Sequence, residues 1–206
     1  MKELLYRSFY LQKKIIAFEI AFMSLLMLFG DVFLNNNGVF LRIIPSLVFL
    51  SVTYVDQLDE STSYTRVLNS LPTSRKDIVN AKYLSALILY FFNLLIVLGF
   101  YYGFLRLGWI SDYVTGFWGG VIVSFIISGL LVAISIPVTI IYSYSKSKVI
   151  NMIMFIMMFN FSNVVITTTN SDTLPNGVGY VMIPTIFIML FFSRIISVNA
   201  YLKKEF

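Results

Sequence analysis

Six long apolar segments limit what this chain can fold into. Each approaches or exceeds the roughly 20 residues that a helix needs to cross a hydrocarbon core about 30 Å thick. Soluble chains carry about 25% charged residues, whereas this chain is 12% charged and 58% hydrophobic. The sequence therefore predicts an all-α polytopic membrane protein with six transmembrane helices in a single domain, 1–206. The predicted transmembrane helices are 15–34, 39–55, 83–105, 116–142, 149–167 and 178–198.

The basic residues are distributed unequally between the two sides of the predicted helices. Short cytoplasmic loops of membrane proteins carry an excess of Lys and Arg. One side holds thirteen of these residues, and the other holds only Arg42 and Arg106. This bias predicts that both termini and loop 56–82 are cytoplasmic, and it explains the net charge of +5 without a nucleic-acid partner. The thirteen are Lys2, Arg7, Lys13, Lys14, Arg66, Arg75, Lys76, Lys82, Lys146, Lys148, Arg194, Lys203 and Lys204.

Histidine and cysteine are absent from the sequence. Their absence excludes the usual zinc sites, nucleophiles activated by histidine, and disulfides. No Gly-Lys dipeptide occurs, so the chain has no Walker A loop for ATP. Glu19, in the first predicted span, is the one candidate for an ion-coupling group, and its position near Lys14 favours an interfacial carboxylate instead. We therefore expect no catalytic, metal or cofactor site in this chain.

Loop 56–82 is both highly charged and patterned as helix. Apolar residues at i, i+3, i+4 and i+7 from Tyr64 to Leu71 predict an amphipathic helix that ends at Pro72. Ser74 then has the features of an N-cap, with Asp77 in the capping-box position. A second helix should therefore run from there into the third span. Charge alone would serve as a topology anchor, but two consecutive helices favour a docking surface.

On the strength of this loop, the chain resembles the membrane subunits of type-2 ABC exporters, and among them the small bacterial permeases with six spans. The resemblance covers essentially the whole chain and is strongest in the pattern LxSLPxSRxxIVxAKY, which begins at Leu68. The opening MKELLYRSFYLQKK resembles an interfacial elbow helix, with apolar and basic residues on different faces. The segment YSYSKSKVI resembles the short connection between the fourth and fifth spans.

The resemblance implies that loop 56–82 contains a coupling helix that docks on a separate ABC ATPase, which binds ATP and Mg²⁺. It also implies a homodimer or heterodimer of membrane subunits in the bacterial plasma membrane. Related permeases export phenol-soluble modulins or give immunity to bacteriocins, so an amphipathic peptide is the expected substrate. The residues assigned to ATPase coupling are Pro72, Ser74, Arg75, Lys76, Asp77, Ile78 and Lys82, with Glu60 and Arg66 as candidate support for the loop.

Two other functional classes remain open from the sequence. One is the substrate-capture subunit of an energy-coupling vitamin importer, and the other is a structural or regulatory membrane protein. Small residues in the fourth span permit close helix packing, either within the chain or against a second subunit. The methionines of the fifth span are compatible with an apolar substrate path, or with ordinary packing.

Overall fold

A computed structural model describes residues 43–61, 74–107, 117–169 and 178–203, together with residues 6, 10, 17, 20 and 21. The regular structure of these residues is helical, as predicted for the all-α class. Judged by length and composition, three of the described helices could cross a membrane: α2, α3 and α4 each contain a sufficiently long apolar segment. The helices are α1 (Ile44–Ser61), α2 (Arg75–Arg106), α3 (Phe117–Thr169) and α4 (Val178–Lys203).

The boundaries of the helices differ from those of the predicted spans. Helix α1 contains most of the second predicted span and continues to Ser61, and Pro45 lies in its first turn, where a missing N–H breaks no helical hydrogen bond. Helix α2 begins eight residues before the third predicted span, at Arg75. Both ends of loop 56–82 are therefore helical. Glu19 and the predicted amphipathic helix 64–71 lie outside the described residues.

Helix α3 consists of two helices, α3a (117–142) and α3b (144–169), joined at Ser143. The backbone there has φ 65° and ψ 160°, which is not helical. Leu131 and Phe155, each twelve residues from Ser143, pack in the same apolar cluster around Phe49. They would be about 36 Å apart on a straight helix. The chain therefore reverses at Ser143, where the predicted connection 143–149 begins.

The core lies between α1, α2 and α3a, and α4 packs mainly on α3. Fully buried apolar side chains of the first three helices include Leu47, Val79 and Ile136. Part of the small-residue face of α3a packs within the chain, because a Cβ atom at Gly129 would lie 2.7 Å from Cγ2 of Ile186 in α4. This contact explains one of the small residues noted in the fourth predicted span.

One end of the bundle collects the end of α1, the start of α2, the reversal of α3 and the end of α4. Glu60 of α1 accepts a hydrogen bond from the backbone N–H of Ser145, just after the reversal (2.8 Å). Arg75 of α2 donates through Nη1 to the carbonyl oxygen of Leu202 in α4 (3.0 Å). We call this the coupling end, because it carries the residues assigned to ATPase coupling.

Candidate functional site

Helix α2 begins at the residue that the sequence predicts. The N–H of Asp77 donates to Oγ of Ser74 (3.1 Å) and to its carbonyl oxygen (2.9 Å), so Ser74 caps the helix. From Arg75 the helix continues to Arg106, a length of about 48 Å at about 1.5 Å per residue. A hydrocarbon core is about 30 Å thick. One helix therefore joins the predicted coupling segment to the third predicted span.

The first turn of α2 presents the accessible part of the predicted coupling segment. Ser74 and Lys76 are exposed, and Arg75 and Asp77 are half-buried. The guanidinium of Arg75 is bonded to a carbonyl at the end of α4, where a positive charge also interacts favourably with the helix dipole. Lys76 is thus the basic residue of this turn that is most available to a partner protein.

Two other predicted coupling residues, Ile78 and Lys82, point into the bundle. Ile78 is 3% exposed and belongs to the main core. Lys82 contacts the carboxylate of Asp56, and its Nζ lies 4.0 Å from Oδ2 of Asp59. The structure therefore places these side chains beneath the accessible turn, where they hold it against α1.

The Lys82 cluster consists of Lys82, Asp56 and Asp59. The side chains of both aspartates are 5% exposed, whereas that of Lys82 is 25% exposed. Separating α1 from α2 here would take Lys82 away from two buried carboxylates, which is strongly unfavourable. Neither aspartate was predicted from the sequence as a site residue. Their i, i+3 spacing places them on one face of α1, and this was the signal available.

Glu60, which was predicted to support loop 56–82, contacts the reversal of α3. Its carboxylate accepts the backbone N–H of Ser145 at the start of α3b. An anionic acceptor is favourable at a helix N-terminus because the first N–H groups have no partner within the helix. Pro72 and Arg66, the remaining residues of the prediction, lie outside the described part of the chain.

A polar junction connects α2, α3a and α4 next to the Lys82 cluster. Pro137 has no N–H, so the carbonyl of Ala133 four residues earlier lacks its helical partner. Oγ of Ser193 in α4 donates to this carbonyl oxygen (2.5 Å). The hydroxyl of Tyr83 in α2 also lies 2.6 Å from Oγ of Ser193 and 2.9 Å from Oγ of Ser197. The bond that proline removes from α3a is thereby replaced by a bond between helices.

Beside this junction is the lateral groove, an apolar cavity of about 480 Å³ between α2, α3a and α4. At the end away from the coupling end its lining is aromatic, and the ring of Phe125 lies 5.1 Å from that of Tyr90 and 5.9 Å from that of Phe187. The lining residues are Val48, Asn80, Tyr83, Leu84, Ala86, Leu87, Tyr90, Phe125, Ser128, Gly129, Val132, Phe187, Leu190, Phe191 and Arg194.

The end of the groove nearer the coupling end is polar. Nε of Arg194 in α4 donates to Oδ1 of Asn80 in α2 (2.7 Å). Among the described residues, no carboxylate pairs with this guanidinium. The groove thus has an apolar body and one cationic end, a combination that the hydropathy pattern did not reveal.

Comparison with known proteins identifies the class of this molecule. The family model described as "ABC-2 family transporter protein" matches residues 3–202, nearly the whole chain. No curated protein and no solved structure matches the chain significantly. Permeases of this family are the membrane components of ABC transporters and work with an ATPase partner. The chain belongs to the ABC-2 transporter family and is a membrane permease subunit of an ABC transporter.

Proposed function

We propose that the chain is the membrane subunit of an ATP-driven exporter of amphipathic or hydrophobic peptides. A separate ATPase binds ATP and Mg²⁺ and docks on Pro72 and the first turn of α2. Six spans put both termini on one side of the membrane, which the bias of basic residues assigns to the cytoplasm of a bacterial cell, and a second membrane subunit completes the translocation unit. Membership in a permease family favours this function over the vitamin-capture and regulatory alternatives.

The observation that carries the proposal is the continuity of α2. Its first turn exposes Lys76, and two to four turns later the same helix supplies Tyr83 and Tyr90 to the lateral groove. No proline interrupts α2 between these positions. A displacement imposed on the first turn by an ATPase is therefore transmitted along a stiff helix to the membrane-embedded part of the permease.

The composition of the described helices supports an amphipathic peptide as the substrate. No charged residue occurs in α2 from Tyr83 to Gly103 or in α3a from Gly120 to Tyr142. A hydrophilic solute that moved along such surfaces would lose its hydration, at a cost of several kcal/mol for each unpaired polar group. A helical peptide satisfies its own backbone hydrogen bonds and can present an apolar face to these helices.

ATPase docking is tested by Lys76→Glu, with Arg106→Glu as the matched control. Both residues are exposed and basic and lie on the same helix, but at opposite ends. Reversing an exposed charge has little effect on stability, about 0–1 kcal/mol, whereas charges at a docking surface govern association. Lys76→Glu should reach the membrane normally while ATPase co-purification and peptide export fall, and Arg106→Glu should retain both. Normal co-purification and export in Lys76→Glu would contradict docking at this turn and would show that its charge serves only as a topology anchor.

The substrate class is tested in cells and in reconstituted transporter. Deleting the permease should raise cell-associated amphipathic peptide and sensitivity to added peptide, and it should leave sugar, amino-acid and vitamin uptake unchanged. In proteoliposomes, such peptides should stimulate ATP hydrolysis. Stimulation by a polysaccharide or a small drug, without any response to a panel of amphipathic peptides, would contradict the substrate and leave the permease class intact.

A further inference from the structure

We propose that the lateral groove binds an anionic phospholipid, with an acyl chain in the apolar cavity and the phosphate paired with Arg194. The inference rests on the chain being a membrane protein and is independent of what the transporter exports. The volume of the groove, about 480 Å³, is within the range of about 300–1,000 Å³ of small-ligand pockets.

Most polar groups in the groove already have partners. The hydroxyl of Tyr83 is bonded to two serines of α4, and that of Tyr90 donates to the carbonyl oxygen of Val121 (3.1 Å). Oγ of Ser128 donates to the carbonyl oxygen of Ser124 (2.7 Å). A ligand in this part of the groove therefore meets few unsatisfied donors or acceptors, and it must itself be apolar there.

Donors without partners are concentrated at one end. The hydrogen bond between Arg194 and Asn80 joins Nε to Oδ1. The terminal NH₂ groups of Arg194 and the amide NH₂ of Asn80 therefore remain without a hydrogen-bond partner among the described residues. An anion satisfies such donors, and a guanidinium fits the oxygens of a phosphate especially well. The complementary ligand thus has an apolar body and one anionic end.

The groove opens on the outside of the bundle. Its floor includes the buried residues Val48 and Ala86, whereas Phe187 and Phe191 on its α4 side are 51% and 55% exposed. The outside of a membrane-spanning bundle faces lipid, so the acyl chains of surrounding lipids have direct access to the cavity. Other candidate occupants, such as a peptide or a second copy of the chain, have to displace that lipid.

The position of Arg194 suits a lipid headgroup. It lies nine residues before Lys203, the last residue of α4, or about 13 Å along the helix. Arginine near the end of a spanning helix is able to reach the interface, and basic pockets between such helices bind phospholipid headgroups. In contrast to Lys82, this cation has no carboxylate partner among the described residues, so its charge is available to a ligand.

The test is native mass spectrometry of the full chain, purified in detergent and titrated with phosphatidylglycerol or phosphatidylcholine. The wild-type protein should retain phosphatidylglycerol preferentially. Arg194→Gln should lower the affinity roughly tenfold, the equivalent of one charge-assisted hydrogen bond. Arg194→Lys should retain most of the binding. Arg106→Gln, which removes an exposed arginine at the other end of the bundle, should bind as the wild type does.

A second variant tests the apolar part of the groove. Leu87→Trp leaves Arg194 in place but fills part of the cavity, and it should reduce phosphatidylglycerol retention. Equal retention of both lipids by the wild type, or unchanged binding in Arg194→Gln and Leu87→Trp, overturns the proposal. A second copy of the chain is a competing occupant of the groove. Because the chain has no native cysteine, Phe191→Cys supplies a single cysteine at the groove for cross-linking. Efficient disulfide cross-linking between two copies in lipid bilayers would show that a second copy covers the groove instead.

Discussion

The Lys82 cluster and the lateral groove both include residues of α2 and one basic side chain, but the partners of that side chain differ. Lys82 faces two nearly buried carboxylates that hold α1 against α2. Arg194 is held by a neutral amide oxygen and borders an apolar cavity. A half-buried cation paired with buried anions serves the fold, because removing either partner is costly. A cation that borders a cavity and lacks an anion is a candidate for ligand binding.

The largest loss of stability is expected when the charge of Lys82 is removed. Lys82→Ala removes the cation beside the buried carboxylates of Asp56 and Asp59, and we expect a loss of about 3 kcal/mol in the free energy of unfolding. The value is at the lower end for buried pairs because Lys82 is 25% exposed. Unfolding by sodium dodecyl sulfate in mixed micelles measures the change, together with the amount of protein in the membrane.

Two controls separate charge from packing at this position. Lys82→Arg keeps the cation and should lose much less stability. The triple variant Asp56→Asn/Asp59→Asn/Lys82→Met removes all three charges and should recover part of the loss, because no buried charge remains unpaired. A Lys82→Ala protein that unfolds like the wild type would show that the cluster is not a structural support.

The polar junction between the two regions should give an intermediate effect. Ser193→Ala removes the hydrogen bond to the carbonyl of Ala133 and a partner of Tyr83, at a cost of about 1–3 kcal/mol. The cost should be smaller in a Pro137→Ala background, since alanine restores the helical N–H for that carbonyl. Equal losses in the two backgrounds, measured as a double-mutant cycle, would mean that proline and serine are not coupled.

The smallest effect on stability is expected at Arg194. Arg194→Gln in lipid-free detergent should change the free energy of unfolding by less than about 1 kcal/mol, because the side chain is exposed and has no ionic partner among the described residues. Added phosphatidylglycerol should then stabilise the wild type more than the variant. A large loss without lipid would assign Arg194 to the fold, as for Lys82.

The sequence predicted the features that depend on local patterns. The Ser74 N-cap and the continuous helix from Arg75 follow from the capping signal and hydropathy, and the structure confirms both. The connection between the fourth and fifth predicted spans follows from charged and polar residues after Tyr142. The structure places the reversal at Ser143, within this segment.

The features that the sequence did not predict depend on contacts between distant residues. Asp56 and Lys82 are 26 residues apart, and the polarity of Asp56 merely suggested the start of a loop. The contact of Ser193 with Ala133 spans 60 residues. The lateral groove arises where three helices meet, and the distance between their side chains is not encoded in any one segment. Hydropathy therefore located the helices but did not locate the cavity between them.

The length of α2 has a mechanical consequence. Because the Lys82 cluster fixes α2 to α1, it acts as a fulcrum that divides the helix into unequal arms. The short arm runs from Arg75 to Lys82 over about 10 Å, and the long arm runs on to Arg106 over about 36 Å. A rigid lever with these arms converts a 1 Å displacement at the first turn into one of about 3–4 Å at the opposite end. Small displacements of the first turn would thus be amplified at the opposite end of α2.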